Sequence, residues 1–106
     1  TGDYGKIGGN VMLAADPSTG ETRRFLTSPP RCEVTGVVNT PDNRTMFCGI
    51  QHPGEGSPAS NPTQVSAWPY GSDATLGPGS PGAVPSPRPR SAVLVITKDD
   101  GGVIGG

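Results

Sequence analysis

The chain has 106 residues, of which 31% are hydrophobic and 5% aromatic, and it carries 17 glycines, 13 prolines and a formal net charge of −1. Glycine and proline make up more than a quarter of it, against about 12% in an average protein. Few large apolar side chains remain to offset a backbone ordering cost of about 1–2 kcal/mol per residue, which argues against a self-sufficient enzyme and for a piece that leans on a partner surface or on copies of itself. Arg23-Arg24 and Arg88-Pro89-Arg90 are the densest basic stretches, too short for a nucleic-acid footprint. No apolar run approaches the about 18 residues of a membrane span.

The first element expected in chain order is a hairpin. Val11 to Ala15 is a short apolar run that stops at Asp16-Pro17-Ser18-Thr19-Gly20, a dense turn cluster, and Glu21 to Thr27 returns as an exposed strand. Ser28-Pro29-Pro30 closes it. A second hairpin follows, from Glu33–Thr40 through the Pro41-Asp42-Asn43-Arg44 turn to Thr45–Gln51. Pro and Asp favour that bend and Asn tolerates positive φ. Gly36, mid-strand, marks a bulge or the close approach of another backbone. Cys32 and Cys48 fall within this hairpin, either as a disulfide or as two half-buried thiols behaving as small hydrophobes.

Residues 53–90 differ in character, with nine of the thirteen prolines and six glycines and no helix or strand period. A segment of this kind inside a compact domain is functional or disordered. Part of it is expected to be mobile, with Trp68-Pro69 as an anchor. Ser91 to Thr97 is the most apolar run and reads as a central strand. A polar turn over Lys98–Gly102 leads to Val103-Ile104, which reads as the start of a further element. Asp99-Asp100-Gly101-Gly102 lacks the spacing of a calcium loop and reads as a turn. The fold class is all-β, with antiparallel strands in the order two, two and one. That order fits the outer two strands of one β-propeller blade and the inner three of the next, about one and a quarter blades; an open sandwich or curled sheet is the alternative.

Four stretches then stand out together: CEVTG at Cys32–Gly36, TPDNRTMF at Thr40–Phe47, IQHPGE at Ile50–Glu55 and ITKDDGG at Ile96–Gly102, the last preceded by RPRS from Arg88. In this order they resemble the C-terminal region of the PhoX family of bacterial alkaline phosphatases, over Gly8 to Glu55 and Arg88 to Gly105. The resemblance implies a periplasmic or secreted phosphatase built on a β-propeller, exported by the twin-arginine route, holding calcium and iron and acting on phosphate monoesters. The export signal and most metal ligands are expected outside these residues. The whole of 1–106 is thus expected to be a C-terminal propeller fragment, inactive in isolation, with its Pro/Gly-rich loop at 53–90. A non-catalytic propeller fragment or binding module is the alternative.

Phosphate ester hydrolysis needs positive charge on the phosphoryl oxygens and an activated oxygen nucleophile, and metal ions supply both. Calcium and ferric iron prefer oxygen donors, which singles out Glu33, at the start of the expected innermost strand, as the metal-ligating candidate. Arg31 can meet a phosphate through its planar fork. His52, the lone histidine, can give a proton to a leaving alkoxide or contact phosphate. Glu55 reads as a solvated loop residue, and neither cysteine lies in a motif that would make it an iron ligand.

Overall fold

The computed structural model describes residues 9–70 and 88–106. Within them the strands are β1 (Val11–Ala15), β2 (Thr22–Thr27), β3 (Glu33–Asn39), β4 (Thr45–Gln51) and β5 (Ala92–Thr97), close to the expected bounds, and no helix occurs among the described residues. β1 and β2 form one antiparallel sheet, and β3-β4-β5 form a second in that order. The protein is all-β, with the expected two-strand unit followed by a three-strand unit.

The turns are built by side chains that replace missing ladder bonds. Asp16 accepts from the Ser18 amide (2.8 Å) and hydroxyl (2.6 Å) through Oδ1, and the Ser18 hydroxyl leads the hydrogen bonds that hold its carboxyl below the usual range. Asp42 does the same between β3 and β4. Its Oδ1 accepts from the Thr40 hydroxyl at 2.6 Å and the Arg44 amide at 3.1 Å, while Asn43 takes the left-handed φ of 55° that the turn requires.

Gly36 is the bulge the sequence suggested. Thr35 pairs with Gly49 and Val38 with Phe47, so Gly36 and Val37 together oppose Cys48 alone. Gly36 sits at φ 56°, a left-handed conformation that glycine adopts without steric cost. Past the bulge, Val38 stands opposite Phe47, which stands opposite Val95.

Register then separates the two faces of the three-stranded sheet. Val34, Met46, Cys48, Ile50, Leu94 and Ile96 share one face, and it holds the two most buried side chains, Cys48 at 0% and Ile50 at 2% exposure. On the other, Val38, Val93 and Val95 remain 59%, 67% and 64% exposed. Both thiols are free and buried, which settles the cysteine alternatives in favour of thiols, and burial pushes both up from their ordinary value.

The ends of this sheet are tied differently. At the β3–β4 turn, Arg44 Nη1 donates to the Gly101 carbonyl at 2.8 Å and the Ile104 amide donates to the Asn43 carbonyl at 2.9 Å. Val103-Ile104 itself lies in no strand among the described residues. Gly101 reverses the chain at φ 68°, and the amide of Ile104 is spent on a turn instead of a ladder. Asp100 caps that reversal by accepting from the Gly102 amide at 2.8 Å, so the acidic pair forms a polar turn. At the opposite end the segment after β4 folds back in short turns, and the Arg90 amide donates to the Trp68 carbonyl at 3.1 Å, which makes Trp68 the anchor expected of it. The expectation of mobility in the Pro/Gly-rich segment falls largely on 71–87, outside the described residues.

Candidate functional site

Arg31, Glu33 and His52 are placed at that second end by the register of β3 and β4. Glu33 opens β3 and pairs with Gln51, the last residue of β4, so the next residue of each strand's continuation meets across the sheet end. Two backbone bonds prolong the pairing beyond the strands: the Gly54 amide donates to the Pro30 carbonyl at 2.9 Å, and the Glu55 amide to the Arg31 carbonyl at 3.1 Å. The His52 amide is held from a third side by Ser91 Oγ at 2.9 Å.

This clamp is made of unusual backbone. Arg31 and His52 lie at φ 54° and 38°, and Gly54 and Gly56 at 77° and 88°. Non-glycine residues with positive φ are uncommon and persist where surrounding structure over-determines them. Gly54 also has no room for a side chain, since a Cβ there would sit 2.9 Å from Pro89 Cγ and 3.4 Å from the Ser66 carbonyl oxygen. Arg31 Nη1 would lie 3.7 Å from a Cβ on Gly56, so its guanidinium runs along the clamp's outer edge.

The imidazole of His52 sits between two carboxylates. Nε2 is 3.9 Å from Glu33 Oε1 and Nδ1 is 3.8 Å from Glu55 Oε2. Both separations exceed hydrogen-bond length and are within ion-pair reach. Nδ1 is buried and has no hydrogen-bond partner, while the Glu33 side chain is 45% exposed. Glu55, read from sequence as a solvated loop residue, is thus a neighbour of the site. Its separation of three residues from His52 allows the approach, and the Gly54–Pro30 and Glu55–Arg31 backbone bonds fix it.

No three His, Cys, Asp or Glu side chains among the described residues converge closely enough to hold a metal ion. The donor set fits one oxygen ligand, the half-exposed Glu33 carboxylate, and does not make a metal site on its own. An open pocket of about 390 Å³ adjoins the clamp, lined by His52, Glu55, Gly56 and the prolines 53, 58 and 89 among others. No helix of the described residues is long and apolar enough to cross a membrane.

The family model of alkaline phosphatase PhoX matches residues 1–54, a span that contains Arg31, Glu33 and His52. The chain belongs to the PhoX family of alkaline phosphatases. It is also similar to the solved structure of Pseudomonas fluorescens PhoX in complex with vanadate, a transition state analogue, at 43% identity and a TM-score of 0.70. That similarity covers 99% of this chain and 15% of the Pseudomonas chain, so the PhoX-like segment spans a small part of the relative's length. No curated protein matches the chain.

Proposed function

We propose that this chain is the C-terminal, blade-forming segment of a metal-dependent PhoX phosphatase that hydrolyses phosphate monoesters, and that its 106 residues do not catalyse the reaction in isolation. The observation that carries this reading is the gathering of Arg31, Glu33 and His52 at one sheet end by a strained backbone clamp, in a segment 43% identical to a PhoX that binds vanadate. Vanadate occupies the place of a phosphoryl group in flight, and a site that takes it is organised around anionic oxygens.

Arg31 is suited to the phosphoryl group. Its guanidinium presents paired N–H donors that match two oxygens of a phosphate, and its left-handed backbone fixes the direction in which the side chain leaves the clamp. Glu33 brings a carboxylate to the same sheet end, a hard oxygen donor for calcium or ferric iron. When bound, such ions neutralise phosphoryl charge and lower the pKa of an attacking water. The remaining ligands would come from other parts of the enzyme, since one carboxylate does not hold a metal cluster. The blade arrangement accords with a two-strand sheet followed by a three-strand sheet. The periplasm or the exterior of the cell is the expected location, reached through a signal elsewhere in the protein.

The uncovered face bearing Val38, Val93 and Val95 favours one further reading, a blade segment that holds a partner without catalysis. Hydrolysis of p-nitrophenyl phosphate separates the two. The 106-residue chain is expected to show no turnover with or without calcium and ferric iron, and the intact protein metal-dependent turnover that Arg31→Ala and Glu33→Ala abolish. Turnover by the 106 residues that needs metal and disappears in Glu33→Ala would overturn the claim of inactivity, and an intact protein without phosphatase activity would leave the binding module.

A further inference from the structure

An outer strand offers unpaired N–H and C=O groups to any further strand unless a charge, a proline or a bulge interrupts them. Of the four outer strands among the described residues, three are interrupted. β2 presents Arg23 and Arg24, and Phe25, unpaired between Arg24 and Leu26, bulges the β1–β2 ribbon. β3 is bulged at Gly36, and its Val34 amide is already taken by Asn10 Oδ1 at 3.3 Å. β5 has no such device. Ala92–Thr97 holds no charge, proline or glycine, and its register with β4 runs unbroken from Thr97 opposite Thr45 to Ala92 opposite Ile50.

The hydrogen bonds of β4 fix which groups β5 turns outward. The Thr45 carbonyl accepts from the Thr40 amide at 2.9 Å on the β3 side, and the His52 amide donates to Ser91 Oγ at 2.9 Å on the β5 side. Backbone groups alternate between the two sides of an antiparallel strand, so Met46, Cys48 and Ile50 bond to Ile96, Leu94 and Ala92, their partners in register. Val93, Val95 and Thr97 therefore point their N–H and C=O groups away from β4. All three residues are exposed, and those groups meet no partner among the described residues.

We propose that this edge pairs with its own copy, β5 against β5 of a second chain, antiparallel about a two-fold axis at Val95. Val95 then faces Val95 of the copy, and Val93 faces Thr97 in both directions. Every outward residue meets an outward residue, and each pair exchanges both of its hydrogen bonds. Charge selects the antiparallel sense. Arg88 and Arg90 precede β5, Asp99 and Asp100 follow it, and all four are exposed. The two-fold brings Arg90 of one chain to the acidic turn of the other, twice over, whereas parallel pairing would set like charges together. Val93 and Val95, 67% and 64% exposed, become cross-joint neighbours of the copy's β-branched side chains, which adds to the pairing. One six-residue strand a side is few against the about 20–30 residues of a standard interface, so the dimer dissociates on dilution.

The test follows the 106-residue chain by sedimentation velocity over a dilution series, with amide hydrogen exchange read residue by residue at both ends of the series. A reversible monomer–dimer equilibrium is expected. Exchange at Val93, Val95 and Thr97 should slow as concentration rises, while Ala92, Leu94 and Ile96, bonded to β4, stay protected throughout. Val95→Pro removes an N–H that β4 does not use and should abolish the dimer. Arg90→Glu and Asp99→Lys should each weaken it by about 2-fold to 30-fold, the worth of two exposed ion pairs, and together restore it; this pair carries the test should the proline variant fail to fold. A chain that stays monomeric at every concentration overturns the proposal. Association that leaves the Val93, Val95 and Thr97 amides exchanging as in the monomer overturns edge pairing and assigns the contact to the valine face. Charge reversals whose losses add instead of cancelling overturn the antiparallel register.

Discussion

Gly54→Ala puts the clamp under a perturbation whose size follows from two separate terms. At φ 77° an alanine meets the left-handed penalty of about 1–2 kcal/mol. Its Cβ would also stand 2.9 Å from Pro89 Cγ and 3.4 Å from the Ser66 carbonyl oxygen. Neither neighbour is the free end of a flexible side chain, so the overlap is relieved only by shifting backbone, at a typical overpacking cost of about 1–3 kcal/mol. The two terms together are about 2–5 kcal/mol. Gly101→Ala isolates the first, because Gly101 has φ 68° with nothing within 4 Å of its Cβ position.

Urea unfolding followed through Trp68, the one tryptophan, reads both variants, and Trp68 reports the right region because its carbonyl accepts from Arg90 beside Pro89. With a slope of about 1 kcal/mol per molar urea for a small domain, Gly101→Ala should lower the midpoint by about 1–2 M and Gly54→Ala by about 2–5 M, or leave no transition at all. Equal midpoints for the two variants would refute the packing term and with it the claim that Gly54 is required for its lack of a side chain. On the proposed reading, Gly54→Ala in the intact protein should also weaken phosphate binding, since relieving the overlap displaces the amide that holds Pro30 next to Arg31.

Asp42 supplies a pH dependence. The Thr40 hydroxyl, foremost, and the Arg44 amide hold its carboxyl below the ordinary 3.8, so the folded turn favours the ionised form; the stabilisation is fully present above about pH 5, fades as pH falls through the folded value, and should vanish from the acid limb of an unfolding profile in Asp42→Asn. The exposed valines are expected to draw copies of the 106-residue chain together in sedimentation velocity, and Val95→Lys, at a residue 64% exposed, to reduce that association without lowering stability. A monomeric unchanged chain, or association that the substitution leaves unaltered, would show that the valine face does not join copies.

Local structure was legible wherever one short stretch decides it. The DPSTG and PDNR turns are closed by their own Asp side chains, and Gly36 announces its bulge by lacking a Cβ inside a β-branched run. Val103-Ile104 misled for the opposite reason. Its apolar pair suits a strand, and only the Arg44 and Asn43 contacts, made about 60 residues earlier in the chain, decide that it closes onto a turn. The site divides along the same line. Arg31, Glu33 and His52 were candidates from residue chemistry and family resemblance, and the structure brings them to one sheet end, but the approach of Glu55 to His52 depends on the Gly54–Pro30 and Glu55–Arg31 bonds, which no local pattern encodes.

β5 shows how a sequence can specify surroundings as well as a strand. A strand with one face in water alternates apolar and polar residues, yet Ala92 to Ile96 is apolar at every position, the pattern of a strand covered on both faces. Here only one face is covered: Leu94 and Ile96 are half-buried beside Cys48, whereas Val93 and Val95 stand in solvent. At about 25 cal/mol per Å² of apolar surface, valines chosen for burial and left exposed forgo stabilisation that a neighbouring layer would recover. The Pseudomonas relative, of which this segment matches 15%, has ample chain to provide that layer. On the proposed reading, a neighbouring layer would both cover these valines and bring further carboxylates to the sheet end that Glu33 occupies.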